Sequence, residues 1–131
     1  MAVVTVSGNT TFIARGVLRT VWAFATSLAP TSGSIGRPLS APTYADKTVS
    51  FRGPWVSGVT IVIEGSNTAT FSTGTAKWAS LADPQGNALS KATGSVEAIL
   101  ENPLWIRPRI SARTGTLGSP TVEIISQSLK R

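Results

Sequence analysis

The sequence predicts an all-β fold, an antiparallel β-sandwich with an extended N-terminal arm. Short runs rich in Val, Ile, Thr and Trp recur along the chain. Gly-, Pro-, Asn- and Ser-rich connections separate them, among them GSNTATFSTGTA, DPQGNA and RTGTLGSP. None of these connections has the length and period of a crossover helix, so neighbouring strands are expected to pair antiparallel. A length of 131 residues matches one domain with one core.

The elements follow in order. VVTVSG (3–8) alternates like a strand. TFIARGVLRTVWAFATSLA is apolar enough for strands or a helix, but its Thr, Val, Phe and Trp favour strands, and a second sheet partly supplied by this segment would close the sandwich. Its apolar part, Val21 to Ala29, is short and diluted by Thr26 and Ser27, unlike a secretion signal. No segment approaches the roughly 18 to 20 apolar residues that span a bilayer, and no membrane partner is expected.

Residues 30–46 hold three prolines and two glycines with no sustained period, and read as a linker or arm. The chain therefore divides into a basic, apolar and partly β segment (1–29), this arm (30–46) and a sandwich domain (47–131). In the last of these, strands are expected at TVSFRG (48–53), VTIVIEG (59–65), KWASLAD (77–83), GSVEAIL (94–100), LWIRPRISA (104–112) and TVEIISQ (121–127). GSVEAILENP is alternatively a helical turn before Pro103. Asp83-Pro84-Gln85-Gly86 has the residue order of a tight turn.

The strand 104–112 interleaves two sets. Ile106, Pro108 and Ile110 are the expected inward face, while Trp105, Arg107 and Arg109 form the outward one, with cation–π contact expected between neighbours. Pro108 has no N–H, so this strand should be an edge or carry a bulge. Arg and Pro on an edge guard against mispairing, whereas Trp and Arg together also make interface anchors. Of the four tryptophans, Trp22, Trp55, Trp78 and Trp105, any set on one face would make a stacking platform; Trp78 is read as core and Trp105 is left open.

Composition removes several functions. Without cysteine or histidine the chain lacks disulfides, thiolate metal sites and the commonest general base and metal ligand. Glu97 and Glu101 would pair as acid and base only on a helix. The acids are scattered singly, with no calcium-loop spacing. No enzymatic activity, metal or cofactor is expected. The net charge is +6, but charged residues make up only 14% of the chain and form no Lys/Arg run, so nucleic acid is not the expected partner. Asp46 is the first acid, which leaves Arg15, Arg19 and Arg37 without counter-charge in the N-terminal third and points them towards an acidic partner.

The ordered series DKTVSFRG, VTIVIEGSN, KWASLADPQGNAL and VEAILENPLWIRPRISARTGT, spanning Asp46 to Thr116, resembles small structural proteins of tailed bacteriophages. The chain departs from the usual wording at EGSNTATFSTGTAKW, where a shorter turn is common. The resemblance implies a virion protein with a β-sandwich or jelly-roll-like domain, foremost a capsid cement (decoration) protein on the outer surface of an icosahedral shell, assembled in the host cytoplasm, with the major capsid protein as partner. A carbohydrate- or host-binding module of a tail or head fibre is the alternative it implies. On the cement reading, Arg15, Arg19 and Arg37 are the candidate capsid contacts. Trp105, Arg107 and Arg109 are then candidates for a self- or capsid interface, with two copies paired across a twofold through strand 104–112.

Overall fold

Two sheets face each other. The computed structural model describes residues 4–25, 33–53, 58–68, 78–113 and 120–128. Sheet one contains β1 (Thr5–Val6), β4 (Ile35–Gly36), β10 (Trp105–Arg113), β6 (Val59–Ser66) and β7 (Ala79–Ser80) in that order, with β8 (Ser90–Lys91) also paired to β6. Sheet two contains β2 (Gly8–Ala14), β3 (Val17–Ala23), β11 (Thr121–Gln127), β5 (Asp46–Arg52) and β9 (Ser95–Ile99) in that order. All pairings are antiparallel except β1 with β4. The architecture is a β-sandwich, and GSVEAI forms strand β9 rather than a helical turn.

Period-two alternation builds the core. Trp22 on β3, Val122 and Ile124 on β11, and Val49 and Phe51 on β5 meet Ile61 and Ile63 on β6 and Ile106 and Ile110 on β10. The six expected C-terminal strands are present, though the run 77–83 contributes only the short β7 and Lys77 lies outside the described residues.

Within the N-terminal third, β2 and β3 supply strands to sheet two as expected, but the stretch after residue 30 differs from its expectation. Residues 33–39, in the stretch expected as a linker or arm, are laid into sheet one. The Ile35 and Arg37 N–H groups donate to Val4 and Val6, Gly33 donates to Ile110, and Leu39 exchanges hydrogen bonds with Ile106. β2 and β3 complete sheet two, so the expected boundary at 30–46 separates no two bodies among the described residues. The physical reason is Trp22. Its indole is fully buried and donates to the Arg37 carbonyl at 2.9 Å, and a Cβ on Gly8 or Gly36 would come within 2.6 Å of its ring. Both glycines are therefore required for this close approach.

Lys47 reinforces the same junction from β5. Its buried ammonium donates to the carbonyls of Ala41 (2.9 Å) and Tyr44 (2.6 Å) and to Asn102 Oδ1. Three donors meet three acceptors and no carboxylate, and burial pushes the Lys47 pKa down to about 8.

The strand expected at 104–112 is not an edge. β10 pairs with β6 along its length and, on its other side, with Ile35 and Leu39. Ile106 and Ile110 donate to that second side, and Pro108 shares their parity, so its missing N–H falls where pairing is interrupted and Gly36 packs on the proline ring. A register shift does occur in this strand, but between Ile110 and Ala112. A twofold dimer through a free edge of β10 therefore has no edge to use.

Candidate functional site

Three features of the surface follow from this frame: a charged outer face on sheet one, a cleft beside β7, and apolar side chains in solvent at both edges of sheet two.

The antiparallel register of β6 and β10 sets Glu64 opposite Arg107, with Arg109 two residues on along the same face. Glu64 Oε1 accepts from Arg107 Nε at 3.1 Å and Oε2 accepts from Arg109 Nε at 2.8 Å. The Trp78 ring lies over Arg107, 4.0 Å from the guanidinium carbon to the ring centroid. Arg107 is only 5% exposed, and that burial lowers its pKa, against the pull of Glu64. The expected outward set is thus outward from the core, yet Arg107 is covered by Trp78 and paired with Glu64. The cation–π neighbour is Trp78, not Trp105. Trp78, expected in the core, sits half-buried on this outer face, while the Trp105 indole donates to the Thr68 carbonyl at 3.1 Å. Trp22 is core, and Trp55 lies outside the described residues.

Beside this face, between β7 and the loop before β10, is a cleft of about 520 Å³ lined by Gly65, Ala79, Leu81 and Pro103 together with the polar Ser66, Asn67, Thr68, Ser80 and Glu101. Glu101 Oε1 accepts the Ala82 N–H at 2.8 Å. Glu97, the other half of the weighed acid pair, instead bonds Lys91 at 3.3 Å, so the two carboxylates serve separate structural contacts. Asp83 closes the DPQG turn by accepting from the backbone N–H groups of Gln85 and Asn87 at 3.0 and 2.9 Å, and the Asn87 bond leads in holding its pKa below the usual range. Gly86 takes the φ of 89° that this turn needs.

The third feature lies on sheet two. β2 and β9 are its edge strands. Phe12 is 77% and Ile13 55% exposed at the end of β2, and Val96 is 70% and Leu100 59% exposed on and just after β9. Phe12 pairs with the buried Leu18, and the register then shifts at Ile13, so two consecutive apolar residues stand out next to the turn of Arg15 and Gly16. The capsid-contact candidates are dispersed. Arg15 is exposed in that turn, Arg37 is exposed beside Gly36, and Arg19 is held by Glu123, which also receives Arg52 at 3.5 Å.

The apolar edges and the Glu64 counter-ion are absent from the residues singled out by sequence reasoning. One signal was present for the first: in TTFIARG two adjacent apolar residues cannot both face inwards on one strand. For Glu64 the partner follows only from register, which lies 43 residues away in sequence. No family model matches the chain, and no curated protein matches it in sequence.

Proposed function

We propose that the chain is a structural virion protein of the cement type, which binds the outside of an icosahedral phage shell and stabilises it by bridging major capsid protein subunits. The observation that carries this reading is the distribution of polar and apolar groups. Glu64, Asp83, Glu97, Glu101 and Glu123 are each engaged in holding the fold, while four large apolar side chains stand in solvent at the two edges of sheet two. Such a molecule acts through contact surfaces rather than bond chemistry. The resemblance to tailed-phage structural proteins supplies the kind of partner and the jelly-roll-like arrangement. Val96 and Leu100 supply apolar contact, and Arg15 and Arg37 reach acidic capsid groups. An increment of about 1 to 3 kcal/mol per copy, repeated over a symmetric shell, is enough to matter to a particle under internal pressure.

The experiment adds purified protein to expanded shells that lack it and follows heat-induced disruption. Saturable binding with a raised disruption temperature is expected; binding that does not saturate, with no shift, rejects the reading. A second reading, a glycan-binding module of a tail or head fibre, is favoured by the cleft with Ser66, Asn67, Ser80 and Glu101 in its lining. Glycan arrays separate the two, because the cement reading expects them to be blank.

A further inference from the structure

We propose that copies of this chain associate head to tail, the β2–β3 hairpin tip of one inserting into the cleft beside β7 of the next. The inference does not rest on the capsid reading, since it concerns the free protein in solution.

Each half of the contact is on the molecule. The tip presents Phe12 and Ile13 as an apolar pair, 77% and 55% exposed, with the exposed Arg15 two residues beyond Ile13. The cleft presents Ala79, Leu81 and Pro103 as the apolar part of its lining, with Glu101 among the polar residues that share it. Glu101 uses Oε1 for the Ala82 N–H, and its other oxygen has no partner among the described residues, so it can accept from a guanidinium. At about 520 Å³ the cleft falls within the roughly 300–1,000 Å³ range of pockets that hold drug-sized ligands, which is ample for two side chains. The knob therefore matches the apolar part of the cleft, and the two match in charge and size.

The topology prevents them from meeting within one chain. β2 is one edge of sheet two, and it lies with β1 and β4 of sheet one, as the clamp of Gly8 and Gly36 on Trp22 requires. The cleft belongs to the opposite flank, where β7 and β8 approach β9 through the Leu100 N–H bond to Ala82 and the Lys91–Glu97 ion pair. A knob on one flank and a receptor on the other form a heterologous contact, which propagates to a closed ring or an open chain rather than stopping at a twofold dimer.

The test is sedimentation velocity of the full chain without capsids, from roughly micromolar to millimolar concentration. The unaltered chain should grow beyond a dimer, and Phe12→Ala should weaken this at least tenfold. Two further variants isolate the geometry: Phe12→Asp with Ile13→Asp removes the knob, and Ala79→Trp fills the cleft. All are at exposed positions, and far-UV circular dichroism checks that each variant folds. Each should be monomeric alone, yet an equal mixture should form a one-to-one dimer, because one intact knob and one intact cleft remain. A chain that stays monomeric throughout, association that stops at a dimer and survives both variants, or a mixture that fails to pair would overturn the inference.

Discussion

On the outward side of β6 and β10 a carboxylate and a guanidinium are buried together, whereas on β2 and β9 Phe12, Ile13, Val96 and Leu100 stand in solvent. The usual distribution of charge and oil is reversed between these two regions. Burial of an ion pair gives little net stability over an apolar replacement, but losing one partner is costly. Open apolar side chains on edge strands are an aggregation liability unless a partner covers them. Sheet one thus carries a buried ion pair on its outer face, and sheet two carries exposed apolar groups that the proposed contact would cover.

The largest effect is expected at Glu64. Glu64→Gln leaves Arg107 buried without counter-charge and should lower unfolding free energy by about 3–5 kcal/mol in urea titration. Adding Arg107→Met should recover most of that loss, because no unpaired ion then remains in the covered face.

Next is the junction between the N-terminal third and β5. Lys47→Ala strips three acceptors, the carbonyls of Ala41 and Tyr44 and the Asn102 side chain, and should cost about 2–3 kcal/mol by the same measurement. The pH dependence has a definite sign. The folded pKa of about 8 lies below the unfolded 10.5, so between these values the unfolded chain binds more protons and this group's contribution to stability rises with pH. Denaturation midpoints at pH 7.5 and 10, taken as differences from Lys47→Met, should therefore increase for the unaltered chain.

A smaller effect is expected at Gly36, where Ala would put a Cβ within 2.6 Å of the Trp22 ring and 2.7 Å of Pro108. Overpacking of this kind should cost about 1–3 kcal/mol, read as a lower urea midpoint. If Gly36→Ala were neutral, the N-terminal third would not be clamped as described. Smallest is the pair Val96→Ser and Leu100→Ser, which should change stability by less than about 0.5 kcal/mol each.

The β-sandwich and its inward-facing residues were legible because alternation is a local property: VTIVIEG and TVEIISQ carry it in a few residues. DPQG likewise announced its turn through Pro84 and Gly86. The 33–46 stretch was not legible, since its pairing with β1 and β10 is non-local and its prolines mask it as a linker. Pro108 misled for the opposite reason, because a proline excludes pairing only on the side its nitrogen faces. The site was partly legible: the Arg107 and Arg109 face was visible from spacing, but its burial depends on Glu64 and Trp78, which register and packing bring to it.

The most direct measurement is the binding isotherm of a Val96→Asp, Leu100→Asp chain on expanded shells lacking the protein, set beside the unaltered chain, with urea midpoints taken for both. The account predicts matching midpoints and a loss of binding of at least tenfold. Undiminished binding by the folded variant would contradict the assignment of this edge to contact.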